Sequence, residues 1–181
     1  MDARTFLPAP ALAVASPPSL GDPAPELTVS LEPGRPAVVA FLRHTGCPFA
    51  EATLRALRDA AAAAPEVQWV AVSHAPADAT DRWCRGAGGS AGVQVVSDQS
   101  RWSYAAWGLG QTHITHFLGR RSLGAVARLA RQGIRNTHPT GTRWQSAGTF
   151  AIDRDRIVRW RHLPEHAGDL PDLDAARAAV A

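Results

Sequence analysis

The stretch Pro36-Ala37-Val38-Val39-Ala40-Phe41-Leu42-Arg43-His44-Thr45-Gly46-Cys47-Pro48-Phe49-Ala50-Glu51 decides the fold. Its first half is an apolar run rich in Val and Phe, the pattern of a strand covered on both faces. A short polar turn follows, with Gly46 able to supply an unusual dihedral. Pro48 suits the first position of a helix, where a missing N–H costs nothing. Cys47 therefore falls at a helix N-terminus, where unpaired N–H groups and the helix dipole favour negative charge. Proteins place working thiolates in such positions. A buried structural cysteine is the alternative reading, because free Cys is among the most buried residue types. The neighbouring Arg43 and His44 favour the reactive one.

The pattern continues outward from this junction. The predicted helix over Ala52–Ala64 turns Leu54 and Leu57 inward and Arg55, Arg58 and Asp59 outward, and Pro65 ends it. Val67–Ser73 is a second apolar strand. Strand, helix and strand at this spacing form a right-handed parallel βαβ unit. Both strand ends then share one edge of the sheet, which places His74 near Cys47. Open α/β sheets bind ligands at that edge. A helix is expected over Asp78–Arg85, carrying Trp83 and Cys84, then a strand over Val93–Val96 ending in Ser97-Asp98. A helical segment with Trp102, Tyr104 and Trp107 follows, and another helix over Ser122–Gln132 with an apolar stripe of Leu123, Val126, Leu129 and Ala130. Gly148–Asp153 and Ile157–Trp160 read as a hairpin turning at Arg154-Asp155. A terminal helix over Asp172–Val180 closes the chain. Upstream, residues 1–18 read as an irregular arm. Ser19–Val29 reads as an extended entry into an edge strand, and residues 19–181 as one domain.

Composition narrows the function classes. The chain of 181 residues is 45% hydrophobic and 19% charged, as in a globular domain. Its formal charge is +3, every basic side chain is Arg, and the arginines are scattered without a block, which argues against nucleic acid. No stretch has the length or apolarity of a membrane span or a secretory leader. With only Cys47 and Cys84 there is no disulfide framework, and a reducing, cytoplasmic setting is expected. His113-x-x-His116 lacks further spaced ligands, so neither a metal site nor a cofactor is expected.

Four motifs in order, Gly21-Asp22-Pro23-Ala24-Pro25, Cys47-Pro48, Val96-Ser97-Asp98 and Gly148-Thr149-Phe150-Ala151-Ile152-Asp153, resemble the AhpC/TSA superfamily of peroxiredoxins and their relatives. The closer similarity is to the peroxiredoxin-like branch, through Arg43 ahead of Gly46-Cys47-Pro48 and the stretch Gly141–Phe150. The resemblance spans Leu20–Ala176. It implies an α/β thioredoxin-like fold, a central mixed sheet flanked by helices with the cysteine at the start of the first long helix. It also implies a peroxide or other small oxidant as substrate, an external thiol reductant and a possible homodimer. The sequence departs from the peroxiredoxin pattern at His44, where a Thr is usual, with Thr45 one residue closer to the cysteine. It departs again at Ala147, where an Arg is usual, and Arg43 or Arg143 could supply that charge. Gly148 stands where a proline is usual. Ala50 excludes a Cys-x-x-Cys dithiol cycle.

Within that resemblance Cys47 is the expected nucleophile. Arg43 would favour the thiolate and Thr45 would orient the peroxide. His44, His74, Arg143 and Trp144 are candidate substrate contacts, with His74 a base or a polar wall. Cys84 could resolve a sulfenic acid only if local unfolding brought it within bridging distance. A single-cysteine peroxidase is the leading reading. A redox sensor or binding module on the same fold is the alternative.

Overall fold

The computed structural model describes residues 12–112, 120–134, 137 and 139–181, apart from the side chains of 120–123. A five-stranded mixed sheet has the order β3-β2-β1-β4-β5. Its strands are β1 (Ala37–Phe41), β2 (Gln68–Ser73), β3 (Val93–Ser97), β4 (Gly148–Ile152) and β5 (Val158–His162). β1 pairs in parallel with β2 and antiparallel with β4. β2 pairs in parallel with β3, and β4 antiparallel with β5. The helices described are α1 (Pro48–Ala63), α2 (Ala77–Gly86), α3 (Trp102–Ala106), α4 (Arg120–Arg131) and α5 (Leu173–Ala178). This is the thioredoxin-like α/β architecture that the resemblance implies.

β1 is central because both its faces are apolar. Val38 and Ala40 pack with Leu54 and Leu57 of α1, Trp69, Ala151 and Ala176. Ala37, Val39 and Phe41 face the opposite layer, with Val70, Tyr104, Trp107 and Phe150. Every β1 residue is fully or almost fully buried. Each Val or Phe so placed contributes about 1.5–3 kcal/mol of transfer free energy. The rings of Phe41, Tyr104, Trp107 and Phe150 pack edge-on or tilted, with centroids 4.8–6.1 Å apart.

Several expectations need correction. The entry segment forms no strand. Pro23 and Pro25 lack amide donors, and only an isolated bridge between Pro23 and Ile157 is made. The helix after Cys47 does begin at Pro48, as the Cys47-Pro48 junction predicts. On α4 the buried positions are Ala125 and Leu129, whereas Val126 and Ala130 face outward and the Leu123 side chain lies outside the described residues. Gly168 explains the inward alanine, since a Cβ there would come within 2.4 Å of Ala125 Cβ. The hairpin turns through Asp153–Ile157, with Arg156 at φ 66° and Asp153 Oδ1 accepting from the Asp155 and Ile157 amides. Among the tryptophans, Trp69 and Trp107 are core while Trp102 is exposed. Residues 12–18 are irregular, yet Ala15 N–H donates to Ala105 O (3.0 Å).

One side chain ties the two parallel strands where they end. The Tyr104 hydroxyl, fully buried, lies 2.6 Å from Leu42 O and 2.7 Å from Val72 O. Burial, reinforced by Asp98, pushes its phenol pKa well above the ordinary value, so the hydroxyl remains a donor. Tyr104→Phe should lower the unfolding free energy by about 1–2 kcal/mol. Urea denaturation checks this through a lower midpoint with an unchanged slope.

Candidate functional site

The β1–α1 junction is built as its residues dictate. Gly46 has φ 86°, a left-handed conformation that any side chain would strain. It turns the chain so that Cys47 N–H donates to His44 O (3.2 Å) and Cys47 becomes the N-cap of α1. Cys47 O then accepts from Glu51 N–H (3.1 Å), the first bond of the helix. Cys47 is 4% exposed.

Two segments cover this turn and a third lies beside His74. From the loop before β4, Thr137 N–H donates to Gly46 O (3.0 Å) and Thr140 N–H to Thr45 O (3.4 Å). Arg43 Nη2 donates to Arg143 O (3.3 Å). From the end of β2, His74 Nε2 donates to Thr142 O (3.1 Å). The approach is close because position 141 is glycine, at φ 84°, and a Cβ there would stand 2.7 Å from His74 Cδ2. The third segment follows β3. Asp98 accepts from the amides of Ser103 (2.8 Å) and Trp102 (3.3 Å), which holds Arg101 at φ 59° beside His74.

Arg43, His44, Thr45 and His74 are all buried, and Arg143 is half-buried. Burial lowers the pKa of Arg43, the Cys47 charge raises it, and Arg143 lowers it further. Arg43 therefore lies within electrostatic reach of both Cys47 and Arg143. His44 Nδ1 donates to Thr45 O (2.9 Å). Burial, with Arg43, His74 and Arg143 adding to it, brings its pKa down to about 3. His74 is brought down to about 4, chiefly by burial and then by Arg101 and Arg43 against Asp98. Both imidazoles are neutral at pH 7, and His74 is too weak a base to accept a proton there. Among the described residues, Thr45 Oγ1 and His74 Nδ1 are buried without a hydrogen-bond partner.

The remaining candidates lie apart. Trp144 is half-buried, and its backbone carbonyl accepts from Thr112 N–H (2.7 Å). Cys84 sits about 10 Å along α2 from the edge that holds Cys47, given 1.5 Å rise per residue. The end of α2 packs on the far part of α1, where Arg58 Nη1 donates to Ala87 O (3.1 Å). Both cysteines are free. Burial and Asp81 raise the Cys84 pKa, keeping that thiol protonated and inert. Among the described residues no group of three or more His, Cys, Asp or Glu could hold a metal. His113, His116 and His138 lie outside them. Asp98, Arg101, Tyr104 and Thr142 escaped the sequence reading; the Val96-Ser97-Asp98 motif was the one available signal.

Arg43 is also among the residues that line a small cleft. Phe49, Ala50 and Thr53 of α1, residues 147–149 before and within β4, and Pro164, Ala167, Asp169, Leu170 and Pro171 line it, with a cavity of about 30 Å³.

Neutral buried imidazoles make stability pH-dependent. Between pH 7 and 5 the unfolded chain protonates both histidines, with ordinary pKa near 6.5, while the folded chain protonates neither. Stability is therefore full above pH 6.5 and falls as pH drops toward the folded values. The expected loss is about 2 kcal/mol for each imidazole between pH 7 and 5. His74→Gln keeps a donor for Thr142 O and should abolish about half of this slope, read from denaturant midpoints at the two pH values.

Comparison with known proteins places this geometry. Solved structures of similar fold include a peroxiredoxin-like protein from Aquifex aeolicus, 17% identical over 93% of this chain and 90% of that one, TM-score 0.66. A thiol peroxidase from Chromobacterium violaceum is 16% identical over 93% and 89%, TM-score 0.66. A variant of peroxiredoxin 6 from Arenicola marina is 14% identical over 89% and 71%, TM-score 0.62. No curated protein matches the sequence. The family profile described as AhpC/TSA antioxidant enzyme matches residues 53–166, beginning just after Cys47 and running through both parallel crossovers to the hairpin. With more than half its length matched and the sheet order to go with it, the chain belongs to the AhpC/TSA antioxidant enzyme family.

Proposed function

We propose that the protein is a thiol-dependent peroxidase working through Cys47 alone. The observation that carries this reading is the pairing of Cys47, at the N-cap of α1, with the buried guanidinium of Arg43. A thiolate there faces the helix N-terminus and a cation, and the unpartnered Thr45 hydroxyl can bond a peroxide oxygen. The Cys47 sulfur attacks the distal oxygen of ROOH. The S–O bond forms as the O–O bond breaks, RO⁻ leaves and takes a proton, and the sulfur becomes a sulfenic acid. With the leaving oxygen anionic, Arg43 stabilises the developing charge.

Ala50 removes the nearby second thiol, and Cys84 sits too far along α2 to take its place. In a reducing compartment such as the cytoplasm, an external thiol R′SH condenses with the sulfenic acid and expels water. A second R′SH then attacks the mixed disulfide, restores Cys47 and releases R′SSR′.

A second reading, a sensor that is oxidised once without turnover, draws on the burial of Cys47 beneath the contacts from Thr137 and Thr140. Stopped-flow oxidation by hydrogen peroxide separates the readings. The peroxidase predicts a rate constant for Cys47 about 10²–10⁴ above that of free cysteine, and repeated turnover with added thiol. A rate equal to free cysteine removes the peroxidase reading, and a single fast oxidation without turnover supports the sensor. Intact mass after one equivalent of peroxide should show no Cys47–Cys84 disulfide.

A further inference from the structure

Several arginines on this surface are matched with acids. Arg35 pairs with Glu32, Arg55 with Glu51, Arg82 with Asp78 and Arg159 with Asp153. Arg128 and Arg131 of α4 differ. Both are exposed, and among the described residues neither takes part in a hydrogen bond or an ion pair. Three positions apart, they share one face of the helix. No acid close in sequence can neutralise them, because the chain from Gln99 to Ile152 contains no Asp or Glu.

These two arginines line an open groove between α4 and the 164–170 segment, with a volume of about 700 Å³. Its two walls are held against each other. Gly168 is buried, and a Cβ there would come within 2.4 Å of Ala125 Cβ. His166 lines the groove as well, and its Nδ1 accepts from Gly168 N–H (3.2 Å). The ring proton is therefore on Nε2, which is a donor. Among the described residues Asp169 is the one acid lining the groove, and its carboxylate is engaged. Its Oδ2 accepts from Glu165 N–H (2.9 Å) and its Oδ1 lies 3.6 Å from His162 Nε2.

We propose that this groove binds the phosphate group of a small phosphorylated molecule. A phosphate monoester carries about two negative charges and three strong acceptor oxygens. Two forked guanidinia and the imidazole N–H supply donors for all three, and each fork can bond a phosphate with two N–H groups. A carboxylate brings one charge and two oxygens. The groove's volume lies in the range of small-molecule sites, about 300–1,000 Å³, so the organic part has room beside Ala125 and Leu170. Cys47 takes no part in this binding, so the site stands or falls apart from the peroxidase reading.

Phenyl phosphate and benzoate are the probes, titrated into the full chain at fixed ionic strength and followed by calorimetry. Phenyl phosphate should bind roughly tenfold more tightly than benzoate, and inorganic phosphate should displace it. Arg128→Gln and Arg131→Gln should each weaken phenyl phosphate roughly tenfold. Both side chains are exposed and bond nothing, so neither change disturbs the fold. Arg154→Gln, which removes the same charge from the exposed hairpin turn, should leave binding unchanged. No binding of phenyl phosphate, equal binding of benzoate, or the same loss in all three variants would overturn the site. A DNA duplex that displaces phenyl phosphate more strongly as its length grows would overturn the small-molecule assignment.

Discussion

Burial of β1 on both faces is the constraint on which the rest depends. Val38 and Ala40 need one apolar layer, and Val39 and Phe41 another, so the strand must sit inside the sheet with helices or loops on both sides. A central strand paired in parallel with β2 must end at the edge where β2 ends. Everything chemical follows from that edge. Arg43, His44, Thr45 and Cys47 leave β1 there, His74 leaves β2, and Asp98 leaves β3. Leu42 N–H to Val72 O (2.8 Å) and the Tyr104 hydroxyl hold the two central ends together.

The site is polar yet buried. Burial keeps His44 and His74 neutral, so neither can offer charge or useful basicity at pH 7. They line the site and fasten it, His74 to Thr142 and His44 to Thr45. Arg43 lies within electrostatic reach of Cys47 and Arg143, and Arg101 within reach of His74. The departures from the peroxiredoxin pattern make physical sense in this light. Thr45 retains a hydroxyl beside the cysteine although shifted by one position. Arg143, from the covering loop, brings a second guanidinium to the site whose late strand begins with Ala147-Gly148.

Much of this was legible in local sequence because it depends on local patterns. Two apolar runs, a helix with inward Leu54 and Leu57, and Gly46-Cys47-Pro48 suffice to define the βαβ unit and to put Cys47 and His74 at one edge. What escaped depends on contacts distant in the chain. Nothing near Asp98 reveals that its carboxylate pins Arg101 beside His74, and nothing near Tyr104 points to the ends of β1 and β2. Small residues misled in two places. The apolar stripe expected on α4 gave way to Ala125 because Gly168 allows the 164–170 segment to approach it closely. At the N-terminal entry, prolines suited to an edge strand removed the donors that a ladder needs. The family profile begins after Cys47, so membership and mechanism rest on different residues.

That separation makes the identity of the reactive cysteine the central matter. It is tested most directly by treating the full chain with one equivalent of hydrogen peroxide in the presence of dimedone, which traps sulfenic acids, and locating the adduct by peptide mass. The structure predicts the adduct on Cys47, at the N-cap beside Arg43, and none on Cys84, buried and protonated on α2. An adduct on Cys84, or none on Cys47, would contradict it.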